Sequence, residues 1–336
     1  MSNKVKDFTD MILIEAMNQA ASDIHFLPNK DHTTIFFRIN GDRISYSSIS
    51  KVEYEKLLSY LKFTSGMDIG ESRKPQDGTL TFTQESKLID LRLSTLPVEH
   101  SESLAIRLLP RNVVYKLEEL FLFPTQANTL LQWIRNKFGI ILFTGPTGSG
   151  KSTTMYSLLQ TIVKNKPFQA ITLEDPIEQE LDHILQVQVN EKAGISYDAG
   201  LKAALRHDPD ILMIGEIRDR QTARFAFHAA FTGHLVLSTI HAKNAYGTIF
   251  RLYEMGISAS ELSQTLIGVA SQQLINCPSD VPMQKRTAIL EILEHTILQE
   301  AINGKSPYTN PSFQSFEYLR RKANALSISK EKHTVS

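Results

Sequence analysis

The chain has 336 residues, of which 42% are hydrophobic, and this length predicts roughly two domains. Its 36 Lys and Arg side chains balance 36 Asp and Glu side chains, which excludes a global positive field for holding DNA or an acidic membrane surface. The one cysteine, Cys277, excludes an internal disulfide framework and a Cys-rich zinc site, and it fits a reducing compartment.

The N-terminus does not have the pattern of a signal peptide. Lys4, Lys6, Asp7 and Asp10 interrupt the first turns, whereas a signal peptide needs an unbroken apolar stretch. The purest apolar runs are about as long as a strand and far shorter than the roughly 20 residues that span a bilayer. We therefore expect a cytoplasmic protein without a membrane-spanning segment.

The first half of the chain predicts a small α+β domain. Its apolar residues recur with helical spacing from Val5 to about Ala20, and Ser22-Asp23 then breaks the pattern. A second helix is predicted at 54–63, and strands are predicted at 33–39, 44–49, 79–82, 88–96 and 104–109. Because the pattern changes at Pro110, we predict an N-terminal domain at 1–109 and a second domain at 110–336.

The second half alternates strands with helices, which predicts a parallel sheet. Thr125 is expected to cap a helix that continues through Lys137. The polar tail after about Arg321 is expected to be frayed. Strands are predicted at 140–144, 170–174, 211–214 and 235–239, and helices at 197–206, 221–231 and 259–276.

Residues 145–153 fit the G-x-x-x-x-G-K-[ST] phosphate loop and lie between a predicted strand and a predicted helix, as that motif requires. Its glycines let backbone N–H groups point inward, and the helix N-terminus favours phosphate. Lys151 adds a mobile charge, and Ser152 can place its hydroxyl on a bridging Mg²⁺, so ATP and Mg²⁺ are predicted together. The predicted binding residues are Gly145, Pro146, Thr147, Gly148, Ser149, Gly150, Lys151, Ser152 and Thr153.

Hydrolysis also needs a carboxylate to orient water and charge to stabilise the transition state. Two acidic clusters, 174–178 and 216–219, follow predicted strands, and His234 and His241 bracket a third strand. Acids in such places can also be helix caps, and His234 can be an ordinary histidine at the start of a buried strand. Three clusters in order after a phosphate loop favour the catalytic interpretation.

These motifs resemble those of the secretion ATPases of type II secretion, type IV pilus and competence pseudopilus systems, especially the compact competence-type assembly ATPases of Gram-positive bacteria. The resemblance covers nearly the whole chain and implies a RecA-like P-loop NTPase domain after a smaller α+β, PAS-like domain. The matching segments are 174–178 (the Asp box), 205–219 (the Walker B region), 232–245 (the His box) and, in the first half, 21–25, 38–41, 75–78 and 92–97.

The resemblance also implies roles for individual acids. Glu216 is implied to orient or deprotonate the attacking water, since Gly215 occupies the place where other P-loop enzymes carry a magnesium-binding Asp. Ser152 and, through water, Glu174 are implied to hold Mg²⁺.

Charge near the phosphates is implied to come from histidines and arginines. His241 is expected near the γ-phosphate with His234 close to it, and Arg92 and Arg107 are expected to reach the phosphates when the domains close. A plain sheet-surface role remains open for both arginines, and Arg218-Asp219 can be a local ion pair.

The chain departs from the family pattern at two places. Cys277 cannot build the four-cysteine zinc loop that many relatives carry, so no zinc is expected. Gln272-Gln273-Leu274 stands where relatives commonly show Gln-Arg-Leu.

The resemblance further implies a homo-oligomer, as a hexameric ring, recruited to a polytopic platform protein at the inner face of the cytoplasmic membrane. There it would power assembly of a pilus-like or competence pseudopilus fibre that serves DNA uptake or type II secretion.

Three alternatives remain. A pilus retraction ATPase fits less well at 75–78, 94–97 and 186–190. An ATP-driven nucleic-acid motor is disfavoured by the neutral net charge and by the lack of an aromatic cluster interleaved with arginines, so no direct stable nucleic-acid binding is expected. A catalytically inactive scaffold is disfavoured by Lys151, Ser152 and Glu216.

Overall fold

A computed structural model describes residues 2–84, 87–99, 101–110, 115–165, 168–276 and 286–333, and Cys277 lies outside these ranges. The chain divides into two compact units, residues 1–113 and 114–336. Within the described part, no helix combines the length and the hydropathy that crossing a membrane requires.

The N-terminal unit is a six-stranded antiparallel sheet with two helices, in the strand order β3-β2-β1-β6-β5-β4. Ser50 and Glu53 form a capping box that starts the second helix. The elements are α1 (Ser2–Asn18), β1 (Ala21–Pro28), β2 (His32–Ile39), β3 (Asp42–Ser50), α2 (Lys51–Thr64), β4 (Gln76–Gln84), β5 (Lys87–Val98) and β6 (Ser101–Pro110).

One apolar core holds this unit together. Leu13 of α1 and Leu57 of α2 are buried in the same cluster as Ile24, Phe26 and Leu93 from the sheet. Strand residues alternate between this core and the opposite face, because successive side chains of a strand point to opposite sides. Both predicted helices and the predicted strands are confirmed, whereas β1 was missed because Ser22-Asp23 was interpreted only as a break.

The C-terminal unit is built on a seven-stranded sheet in the order β13-β12-β7-β11-β10-β8-β9, parallel except for the β12–β13 pair. Its strands are β7 (Gly139–Thr144), β8 (Ala170–Glu174), β9 (Leu185–Gln188), β10 (Ile211–Ile217), β11 (Leu235–Ile240), β12 (Leu266–Asn276) and β13 (Arg286–Glu294). Its helices are α3 (Leu117–Leu120), α4 (Pro124–Trp133), α5 (Lys151–Asn165), α6 (Tyr197–Leu205), α7 (Arg220–Phe231), α8 (Ala245–Glu254), α9 (Ala259–Thr265), α10 (His295–Ile302) and α11 (Phe316–His333).

Helices cover both faces of this sheet, so its central strands are buried throughout. All six residues of β7 and of β11 are buried, and separate core clusters lie on the two faces. The carboxyl ends of these parallel strands meet at one edge of the sheet, which is where ligands collect in open α/β folds. The phosphate loop follows β7 at that edge.

The prediction of one helix over 259–276 is wrong after Thr265. Residues 266–276 form β12, which pairs with β7 on one side and β13 on the other. A short buried apolar run fits the period of a helix as well as that of a strand, and only the neighbouring elements decide which of the two forms. The close packing of β12 leaves no room for a side chain at Gly268, because a Cβ there would lie 2.4 Å from the Trp133 ring.

Two other boundary predictions are wrong. Pro124 occupies the first helical position of α4, Thr125 makes no capping bond, and the helix ends at Trp133 rather than Lys137. The polar tail after Arg321, which we expected to be frayed, continues α11 as far as His333.

Candidate nucleotide site

The loop between β7 and α5 has the backbone shape of a phosphate cradle. Gly145, Gly148 and Gly150 have φ angles of 136°, 77° and 85°, which residues with a side chain rarely adopt. Because α5 begins at Lys151, the N–H groups of its first turn have no partner within the helix. They can therefore bind an anion together with the positive end of the helix dipole.

Two side chains of the loop fit a phosphate ligand. The buried hydroxyl of Ser149 has no hydrogen-bond partner in the described part of the chain. The Lys151 ammonium donates to the carbonyl oxygens of Gly145 at 2.9 Å and Pro146 at 3.0 Å. Phosphate oxygens can replace these two carbonyl oxygens as acceptors, so the loop fits the nucleotide that its sequence predicts.

Carboxylates act on the Lys151 charge from nearby strand ends. Burial lowers the pKa of Lys151, and attraction by Glu216 and Glu178 opposes that shift. Glu178 follows β8 in the sequence, and Glu216 lies near the end of β10. The Asp-box and Walker B segments therefore lie within electrostatic reach of the phosphate loop.

Glu216, near the end of β10, contacts both a histidine and an arginine. Its Oε1 is 3.2 Å from His241 Nε2, and its Oε2 accepts a hydrogen bond from Arg218 Nε at 2.7 Å. Arg218 also reaches Asp175 at 3.5 Å, so its partners are these acids rather than Asp219, whose side chain caps α7. Gly215 packs tightly here, since a Cβ would lie 3.2 Å from Leu173 O.

Glu174, at the end of β8, is buried, and neutral donors surround it. Its carboxylate accepts hydrogen bonds from Tyr156, from Thr172 at 2.6 Å and from Gln186 at 3.1 Å. Burial raises the pKa of Glu174, and these hydrogen bonds oppose that shift. Both carboxylate oxygens are therefore already used as acceptors.

Sequence reasoning missed the three partners of Glu174. Thr172 was detectable, since it precedes Glu174 by two residues and so shares its face of β8. Tyr156 lies on α5 and Gln186 on β9, and no local pattern links either residue to Glu174. Only the packing of α5 and β9 beside β8 brings them together.

Comparison with known proteins identifies the family of this chain. The model of the type II/IV secretion system protein family matches residues 2–308. The chain belongs to this family. The resemblance drawn from the motifs is therefore confirmed.

The proteins similar to this chain include a competence protein, a pilus assembly ATPase and a pilus retraction motor. Competence protein ComGA of Bacillus subtilis (strain 168) is 42% identical over 96% of this chain and 95% of its own length. The type IV pilus assembly ATPase PilB of Thermus thermophilus is 42% identical over 80% of this chain, but this match covers 30% of PilB. The solved pilus retraction motor PilT with bound ADP is 29% identical, with a TM-score of 0.66 over 87% of this chain and 85% of PilT.

These matches confirm the predicted fold class. The chain is an α/β protein with a RecA-like ATPase domain and a smaller N-terminal α+β domain, as in its family.

The two family histidines do not lie together, so the expectation that His234 is close to His241 is wrong. His234 precedes β11 and His241 follows it, and a six-residue strand separates their backbones by about 20 Å. The His234 ring contacts Ala229 O at 3.0 Å and Thr232 Oγ1 at 3.2 Å. It is the ordinary hydrogen-bonded histidine of the alternative interpretation.

The family arginines of the N-terminal unit lie on neighbouring strands. Arg92 of β5 is directly opposite Arg107 of β6, and Arg107 is opposite Asp23 of β1. The Arg107 Nε donates to Asp23 Oδ1 at 2.9 Å, yet 60% of the Arg107 side chain remains exposed. Arg107 is thus held in orientation while much of its guanidinium side chain is accessible.

Proposed function

We propose that this chain is an ATP-hydrolysing motor that powers assembly of a pilus-like fibre, the competence pseudopilus. The observation that carries the proposal is the position of Glu216, 3.2 Å from His241 and close enough to Lys151 to affect its pKa. A carboxylate that can orient water, placed beside a phosphate loop at one edge of the sheet, supplies two of the parts that nucleotide hydrolysis requires.

Each part has a separate task in the proposed reaction. The loop N–H groups and the Lys151 ammonium hold the phosphates, and Lys151 gives up its two carbonyl acceptors to do so. Glu216 orients the attacking water and accepts its proton, while His241 lies beside the same carboxylate and responds to the γ-phosphate. Most of the rate enhancement then comes from positioning and electrostatics.

Mg²⁺ neutralises charge on the outer phosphates when bound. Ser152 would ligate it directly through its hydroxyl. Glu174 would act through water, an arrangement supported by the three hydrogen bonds that its carboxylate already accepts. Zinc has no place in the proposal, and the expectation that it is absent stays a prediction.

Arg92 and Arg107 are proposed to stabilise transition-state charge. We expect Arg92→Ala and Arg107→Ala each to lower ATP turnover about tenfold, the loss typical of one charge-assisted hydrogen bond. Stability should change by only about 1 kcal/mol, since 60% of the Arg107 side chain is exposed and Asp23 keeps Ser22 and Arg38 as partners. Steady-state ATPase rates and thermal melts check this.

Arg43→Ala is the matched control for the two arginines. Arg43 lies on β3 of the same sheet, and its guanidinium stacks over the Phe36 ring at 3.9 Å. Removing its charge should leave turnover unchanged. Wild-type rates in both Arg92→Ala and Arg107→Ala would assign the pair to the sheet surface.

Force is proposed to come from domain closure within a homo-oligomeric, hexameric ring. ATP favours a closed arrangement only to the extent that it binds that state more tightly, and hydrolysis then releases it. The ring would act on a polytopic platform protein at the inner face of the cytoplasmic membrane. Direct stable binding of nucleic acid is not part of the proposal.

The direction of the motor is supported by its relatives. Identity is 42% to ComGA and to the pilus assembly ATPase PilB, compared with 29% to the retraction motor PilT. These values favour assembly.

Deleting the gene and imaging the cell surface by electron microscopy tests the proposed direction. We expect cells without fibres, and a plasmid copy should restore them. Cells that accumulate excess fibres would instead identify a retraction motor, because loss of a retraction motor leaves assembly unopposed.

A further inference from the structure

Gln272 is a buried polar residue directly beneath the phosphate loop. It lies on β12, next to the strand that leads into the loop, and only 1% of it is exposed. Its side chain binds the loop at two points. The Nε2 donates to Ser149 O at 2.7 Å, and the Oε1 accepts from Thr154 Oγ1 at 2.9 Å.

Chemistry alone determines the orientation of this amide. A backbone carbonyl can only accept, so the nitrogen of Gln272 must face Ser149 O. Thr154 can donate its hydroxyl to the remaining oxygen. The residue therefore joins the last part of the loop to the first turn of α5, on either side of Lys151 and Ser152.

The backbone and side chain of Gln272 also explain two glycines of the motif. A Cβ at Gly145 would lie 2.4 Å from Gln272 O, and a Cβ at Gly150 would lie 2.9 Å from Gln272 Nε2. Both distances are too short for a side chain. The first and the last glycine of the loop therefore both pack against Gln272 of the neighbouring strand.

We infer that Gln272 is a positioning residue that holds the phosphate loop in its nucleotide-binding shape. A loop already ordered before binding loses less conformational entropy when the nucleotide arrives, so affinity rises. The inference rests on the proposed nucleotide site but assigns no contact between Gln272 and the nucleotide.

The next residue along β12 provides an internal control. Gln273 is partly exposed, and its Oε1 accepts from Arg320 Nη2 of α11 at 2.7 Å. Successive residues of a strand point to opposite sides, so Gln273 makes its side-chain bond away from the loop. The same substitution at 272 and at 273 therefore separates loop positioning from general damage to β12.

The test compares Gln272→Met, Thr154→Val and Gln273→Met in two measurements. Met has a similar shape but cannot form either hydrogen bond, and Val is isosteric with Thr but lacks the hydroxyl. Affinity for ADP with Mg²⁺ is measured by calorimetry. Hydrogen exchange of the Ser149 and Thr154 amides, both hydrogen-bonded within this segment, is measured on nucleotide-free protein.

Gln272→Met is expected to weaken ADP affinity about tenfold and to speed exchange of the two amides by about the same factor, and Thr154→Val should give about a threefold effect on both. The double variant should lose less than the product of the single effects, because both substitutions remove the same Thr154 bond. Gln273→Met should stay within about twofold of the wild type in both measurements, since it removes no loop contact.

Wild-type affinity and exchange in Gln272→Met, or equal losses in Gln273→Met, would overturn the inference. If Gln272→Met does not fold, Thr154→Val decides, and wild-type behaviour there also overturns it. Absence of ADP binding by the wild-type protein is a separate result, which would defeat the proposed nucleotide site itself.

Discussion

Replacing Lys151 with alanine is expected to abolish ATP hydrolysis and to weaken nucleotide binding. The Lys151 ammonium is the charge that the phosphate loop offers to the transferred phosphate, and water is a poor substitute for it at a partly buried position. We expect turnover to fall by at least about 10³-fold. Nucleotide affinity should fall by about 10- to 100-fold, the loss typical of hydrogen bonds to a charged group.

The matched control for Lys151→Ala is Lys164→Ala. Lys164 is exposed and lies in the last turn of the same helix, α5, so its removal tests the loss of a lysine from that helix without touching the loop. ATPase rates, calorimetry with ADP and thermal melts are compared for both variants. A Lys151→Ala protein that folds and hydrolyses ATP at the wild-type rate would remove the basis for a phosphate-loop mechanism.

Replacing Glu216 with glutamine is expected to separate binding from hydrolysis. The amide keeps the size of the side chain and one acceptor oxygen, but it cannot take a proton from water. Turnover should fall by about 10²- to 10⁴-fold, the range that a general base supplies. ATP binding should persist, because Lys151 and the loop N–H groups are unchanged.

The measurement for Glu216→Gln is the identity of the bound nucleotide after incubation with ATP. The variant should retain ATP where the wild type contains ADP. Glu254→Gln is the control, since Glu254 pairs with Arg251 on the exposed surface of α8. Undiminished turnover in Glu216→Gln would reassign the catalytic carboxylate, with Glu174 as the next residue to test.

Sequence patterns were sufficient for elements whose environment is uniform along their length. The run 140–143 is apolar, and β7 is buried throughout, so this strand could be predicted without knowing its neighbours. The phosphate loop is equally local, since its glycines, its lysine and its helix follow one another in the chain. The Asp-box, Walker B and His-box segments were identified by their resemblance to the family's motifs, and the acids of the first two stood at the carboxyl ends of predicted strands.

Other features depended on residues that are distant in sequence. Residues 266–276 carry apolar positions that fit a helix, and only pairing with β7 and β13 makes them a strand. His234 and His241 belong to one sequence cluster, but a strand separates them. Two of the three hydrogen bonds to Glu174 come from other elements, Tyr156 of α5 and Gln186 of β9.

The sequence alone therefore determined the family, the fold class and the residues of the phosphate loop, because these are written in short contiguous patterns. The tertiary structure alone decided which side chains support those residues. Gln272 is the clearest case: in the sequence it was notable only for the glutamine that follows it, yet in the fold its amide joins two segments of the loop. Hydrogen bonds between distant residues depend on how strands and helices pack, and no local periodicity records that packing.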